Sequence, residues 1–101
     1  MAKQRIGSVS DVKEGESKMY NVNGQPVGVF HVNGKWFAIS DKCTHRGTLL
    51  HEGPFDEYTV TCPLHGAQFD LKTGQNLSPP ATMPVRAYVI TAEGNDLFLE
   101  I

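Results

Sequence analysis

The sequence predicts an all-β fold, a small antiparallel β-sandwich or barrel carrying one insertion of loops. Two observations point there. Asn-Gly pairs recur at residues 23–24 and 33–34, each preceded by a valine, and Asn-Gly accepts the positive φ of a type I′ hairpin turn. Around them lie short runs rich in β-branched and aromatic residues, while no stretch keeps a long helical period. In chain order, "SKMYNV", "QPVGVFHV" and "KWFAIS" read as strands, so residues 17–40 form a three-stranded meander. The recurrence of "VNG" is hairpin spacing and too short for a solenoid repeat. "EYTVTC" (57–62) is a further strand, "AQFDL" (67–71) another, turned by "KTGQ", and residues 84–101 form a closing hairpin through Glu93 to Asp96. The alternation places Ile6, Val27, Val29, Phe37, Ile39, Val60, Phe69, Val85, Val89, Leu97 and Leu99 in the core. Residues 43–56 alone lack strand character. They read as an insertion on a rigid scaffold, where function tends to sit.

A chain of 101 residues is one domain, residues 1–101, with a modest core. Nine Lys and Arg against eleven Asp and Glu leave a formal charge of -2, too weak and of the wrong sign for nucleic acid or an anionic membrane as main partner. "MAKQRIGSVSDVKEGE" has no apolar run of signal-peptide length, and no segment approaches the roughly 18 apolar residues of a membrane span. The expectation is a soluble cytoplasmic monomer. In that compartment two cysteines are reduced thiols or metal ligands more often than a disulfide.

Both cysteines sit in short boxes, "CTHRG" at 43–47 and "CPLHG" at 62–66, and each is followed closely by a histidine. The four side chains are Cys43, His45, Cys62 and His65, spaced C-x-H, sixteen residues, C-x-x-H. A zinc finger groups a cysteine pair and then a histidine pair. Here each loop supplies one thiolate and one imidazole, which suits a binuclear centre whose cysteines hold one iron and whose histidines hold the other, the ligation of a Rieske [2Fe-2S] cluster. Gly47 and Gly66 allow tight backbone with amides aimed at sulfides, and Pro63 stiffens the second loop. A C2H2 zinc site and a cysteine–histidine enzyme remain the alternatives for the tetrad.

The boxes closely resemble the two cluster-binding boxes of the Rieske family. The likeness continues through "AQFDLKTGQNLSPP", similar to the strand after the second box and the proline-containing loop that covers the cluster in that family, and it spans essentially the whole chain. No room is left for an oxygenase catalytic domain. The resemblance therefore implies a Rieske-like sandwich or barrel with one [2Fe-2S] cluster, a Rieske-type ferredoxin of a multicomponent aromatic-ring dioxygenase system. Such a protein is not itself an enzyme. It takes electrons from an NAD(P)H-dependent flavoprotein reductase and passes them to a terminal oxygenase. The small subunit of an assimilatory nitrite reductase shares both boxes and is the second reading. By the same resemblance Arg46, Gly47, Thr48, Gly66, Ala67 and Pro80 lie around the cluster, with the Arg46 backbone N–H as a sulfide donor and Pro79–Pro80 as the lid.

Departures from the respiratory branch sharpen the expectation. That branch braces its loops with a disulfide, and the matching positions here are Thr48 and Leu64. Its second box is followed by a serine and a tyrosine that donate to cluster sulfurs, whereas this chain has Ala67 and Phe69. Missing donors lower the potential of the more negative reduced state. Two thiolates and two neutral imidazoles leave the oxidised centre uncharged and the reduced one singly negative. His45 and His65 would then be the points of electron entry and exit. His31 and His51 read as strand or loop surface, Glu52, Asp56 and Glu57 as a solvated loop, and at least one of Trp36 and Phe37 as core.

Overall fold

The computed structural model describes residues 3–42, 49–63, 66–78 and 83–100. Eight strands appear among them: β1 (Lys3–Ser8), β2 (Glu16–Val22), β3 (Gln25–Val32), β4 (Lys35–Ser40), β5 (Thr59–Thr61), β6 (Gln68–Asp70), β7 (Ala87–Glu93) and β8 (Asp96–Glu100). All pairings are antiparallel. The predicted meander is β2-β3-β4, and its two turns hold Asn23 and Asn33 at φ 52° each, followed by Gly24 at 81° and Gly34 at 73°. That is the geometry for which Asn-Gly was read. The closing hairpin is β7-β8, with Glu93 opposite Asp96.

Six strands form one sheet in the order β1-β8-β7-β4-β3-β2, and β5-β6 form a separate pair. The large sheet curls until its outermost strands meet through side chains. Tyr20 of β2 lies over Gly7 of β1, where a Cβ would come 2.7 Å from the Tyr20 hydroxyl oxygen. That hydroxyl donates to the Asp11 carboxylate at 3.1 Å. Burial and the Asp11 acceptor push the Tyr20 phenol up to about 12.

The curl encloses one apolar cluster of Val12, Val22, Val27, Val29, Ala38, Leu97 and Leu99. A second cluster lies where the β5-β6 unit packs on the large sheet, with Phe30, Ile39, Leu50, Val60, Cys62, Ala67, Phe69, Leu71 and Val85. β3 and β4 supply both, Val27, Val29 and Ala38 to the first and Phe30 and Ile39 to the second. Burial on two faces removes the polar half of the alternation, which is why "QPVGVFHV" alternates only in part.

Of the expected core, Val27, Val29, Ile39, Val60, Phe69, Val85, Leu97 and Leu99 are buried. Ile6 and Phe37 are half-buried against the two clusters. Val89 is not core, being 58% exposed, because β7 turns Tyr88 and Ile90 toward the enclosed cluster and therefore Val89 outward. β1 is a strand that the sequence does not announce. It pairs with β8 through a bulge between Arg5 and Gly7, and ion pairs of Lys3 with Glu93 and Arg5 with Asp96 line its exposed side. β5 covers only Thr59–Thr61, shorter than "EYTVTC", because Asp56 ties the N–H groups of Tyr58 and Thr59 into a turn.

Candidate metal centre

β4 ends at Ser40, and the first loop opens there. Its two ends are closed by a bridge between Lys42 and Leu49 and by the Leu50 N–H donating to the Asp41 carbonyl at 2.7 Å. Cys43, His45, Arg46, Gly47 and Thr48 fall between these ends and lie outside the described residues. After a 3-10 turn, Leu50–Glu52, the chain runs beside β5. A Cβ on Gly53 would collide with the Thr61 carbonyl oxygen, and the Thr61 N–H donates to the Pro54 carbonyl at 2.9 Å. Glycine is the residue that permits this approach.

The second loop leaves β5 at Cys62, which is buried, and returns at Ala67. The Cys62 N–H donates to the Ala67 carbonyl at 2.7 Å, closing the neck. Gly66 takes a φ of 74°, so the turn uses the left-handed region that glycine favours. Leu64 and His65 lie outside the described residues.

A third segment runs along β6. Asn76 bridges to Phe69, the Leu77 N–H donates to the Gln68 carbonyl at 2.7 Å, and the Gln68 N–H donates to the Ser78 hydroxyl at 3.1 Å. Pro79 and Pro80 follow, outside the described residues. Gly53 on the return arm of the first loop, the Cys62–Ala67 neck and Leu77 of the third segment thus lie against β5-β6 near the end where Cys62 sits. Among the described residues no three His, Cys, Asp or Glu side chains surround one point, since only Cys62 of the four expected ligands is described. The setting nonetheless suits the group. Cys62 is a buried thiol set among Leu50, Val60, Ala67 and Phe69, a dry wall with no hydroxyl at either position where the respiratory proteins carry one.

Two features beside the loops escape the sequence reading. Asp41 is completely buried, and its carboxylate accepts the His51 N–H at 2.6 Å and pairs with His51 Nδ1. Burial pushes the Asp41 carboxyl up, opposed by these bonds from His51. His51 is therefore not a surface loop residue, with only 21% of its side chain exposed. The one sequence signal was Gly28 inside a strand, which can mark a close approach. A Cβ there would lie 2.6 Å from the Asp41 carboxylate. His31 is also half-buried, stacked on Trp36 with ring centroids 3.9 Å apart, and its Nδ1 donates to the Val12 carbonyl at 3.0 Å. Nor is the acidic group merely solvated, because Glu57 pairs with Lys35 at 3.6 Å and accepts from Asn33 at 3.1 Å.

The family model for the Rieske [2Fe-2S] domain matches residues 2–89. The ferredoxin subunit of the 3-phenylpropionate/cinnamic acid dioxygenase of Escherichia coli (strain K12) is 43% identical over 95 residues, 92% of this chain and 88% of that protein. Among solved structures, the ferredoxin of carbazole 1,9a-dioxygenase from Nocardioides aromaticivorans superposes with a TM-score of 0.90 at 31% identity, covering 98% of this chain and 97% of that one. A chain from the complex of reduced oxygenase and oxidised ferredoxin in carbazole 1,9a-dioxygenase gives 0.86 at 28% identity, covering 96% and 91%. A Rieske family model over residues 2–89, a 43% identical ferredoxin subunit and an antiparallel scaffold shared with ferredoxins of dioxygenase systems identify the cofactor as one Rieske-type [2Fe-2S] cluster and the role as electron carrier rather than catalyst: the chain belongs to the Rieske [2Fe-2S] family.

Proposed function

We propose that Cys43 and Cys62 hold one iron and His45 and His65 the other. Arg46, Gly47, Thr48, Gly66, Ala67 and Pro80 line the cluster. The observation that supports this reading is the contact between the segments flanking the two boxes: Gly53, after the first, lies against Thr61 and Pro63, and the Cys62 N–H closes onto the Ala67 carbonyl beside them. The bound group supplies one-electron chemistry. The chain's own task is to hold four ligands in place, keep the cysteine side dry and leave the histidine side open to a partner.

The partners are an NAD(P)H-dependent flavoprotein reductase and a terminal aromatic-ring-hydroxylating oxygenase, in a pathway of aromatic hydrocarbon catabolism. Similarity to a ferredoxin named as part of an oxygenase complex supports the second of these. The 101 residues work as one domain, a monomer in the cytoplasm. Among the described residues no helix is long and apolar enough to cross a membrane, and a charge of -2 gives no purchase on nucleic acid.

Cys62→Ser and His65→Ala test the ligand set. Each should abolish the visible absorption and the EPR signal of the reduced protein and lower its stability, because metal binding and folding are coupled. A Cys62→Ser protein with the full wild-type EPR signal would falsify the assignment. Reconstitution with a dioxygenase reductase and oxygenase should give turnover that depends on this protein. Co-purification with a large subunit would favour the nitrite reductase reading instead.

A further inference from the structure

The neck of the first loop is tied more heavily than loop closure requires. A bridge between Lys42 and Leu49 already closes it. Asp41 adds bonds from every polar group it has. Its N–H donates to the Pro26 carbonyl at 3.0 Å and its carbonyl accepts from Leu50 at 2.7 Å. One carboxylate oxygen accepts the His51 N–H at 2.6 Å, and the other pairs with His51 Nδ1. The Ser17 hydroxyl then donates to the His51 carbonyl at 2.7 Å, fixing the far side to β2.

A buried carboxylate is costly unless it is paired and hydrogen-bonded. Here the scaffold makes room for it, since a side chain at Gly28 would collide with it. From His51 the connection continues to the second loop. The Gly53 N–H donates to the Leu50 carbonyl at 3.0 Å, and Gly53 and Pro54 lie against Thr61, the residue before Cys62. The chain has two cysteines, both in the boxes, so no disulfide can do this work beside a ligated cluster.

We propose that Asp41 and His51 form a positioning pair, a non-covalent clasp that fixes the first loop against the second and so holds Cys43 and His45 in register with Cys62. The pair touches neither iron nor sulfide. It acts through the backbone that it anchors. The inference rests on the ligand assignment above, but its test is separate from the test of that assignment.

The test uses the cluster-loaded protein well below its thermal transition. Iron release to a chelator and the EPR line shape of the reduced cluster are compared in wild type, His51→Ala and His51→Asn. Asparagine can place an amide N–H close to where the imidazole Nδ1 donates. His51→Ala should release iron about tenfold faster, the scale of outer-shell effects on metal sites, with a broadened EPR spectrum, while His51→Asn should restore both toward wild type. Asp41→Asn keeps the volume beside Gly28 and gives the same readout if His51→Ala does not fold. Wild-type release and line shape in His51→Ala or Asp41→Asn would overturn the proposal, as would equal impairment of His51→Ala and His51→Asn. A cluster retained in Cys43→Ser would instead defeat the ligand assignment and leave the His51 comparison readable.

Discussion

Ala67 and Phe69 set a methyl group and a phenyl ring where the respiratory proteins place two hydroxyls. Both side chains are fully buried, so a hydroxyl introduced at either position must find a buried acceptor, a cluster sulfide under the proposed ligation, or go unpaired. Neutral imidazoles raise the potential above that of plant-type ferredoxins and missing donors lower it again, so the midpoint should lie near the bottom of the Rieske range, about -150 mV. Ala67→Ser with Phe69→Tyr should raise it by tens of millivolts, where about 59 mV corresponds to roughly 1.4 kcal/mol for one electron. Protein-film voltammetry of both forms gives the answer. An unchanged midpoint with a loss of about 1–3 kcal/mol in stability would mean that the hydroxyls miss the sulfurs and stand unsatisfied. A tight turn between Cys62 and Ala67 could be read from sequence because its spacing is local, with Gly66 at positive φ just before the Ala67 carbonyl that accepts the Cys62 N–H. Asp41 and His51 could not. Nothing in "SDKC" or "LLHE" tells that ten residues apart they share a part-buried bond, and the room for it comes from Gly28, on a different strand.

The meander was legible at the level of elements because its turns carry their own chemistry, whereas β1 was hidden by a polar sequence whose reason to be a strand is the partner β8. The β3-β4 turn has an additional support from outside the hairpin. Glu14 accepts the N–H of Gly34 at 2.8 Å and that of Asn33, and these donors, Gly34 first, hold its carboxyl below the ordinary value. Asp56 is lowered in the same way by the Tyr58 and Thr59 N–H groups. A carboxyl whose folded value is depressed contributes stability that is complete above its unfolded value and lost as the pH falls through the folded one. Glu14→Gln keeps an acceptor without the charge. Its melting temperature should therefore fall less steeply than that of wild type from about pH 5 downward, and run parallel above about pH 6. A wild-type slope no steeper than the variant's in the acid range would contradict the role given to Glu14.

Taken as a whole molecule, the chain divides its stability unevenly. The curled sheet has six strands, five to eight residues long, around an enclosed apolar cluster. The unit that bears Cys62 rests on two strands of three residues each, and so short a pair has no independent stability in water. Its order is borrowed from the large sheet, from the turn at Asp56 and, under the proposed ligation, from the cluster. Proteins open in cooperative units, the least supported first, so amide hydrogens of Val60, Cys62, Phe69 and Leu77 should exchange together and ahead of those in β3 and β8. Protection equal in the two regions, measured on the cluster-loaded protein by mass spectrometry, would refute that order. If the order holds, the lifetime of the carrier is a property of its smaller part: a molecule can lose its iron while most of its strands are still paired, and an apo form with an intact curled sheet remains as a ready acceptor for a new cluster.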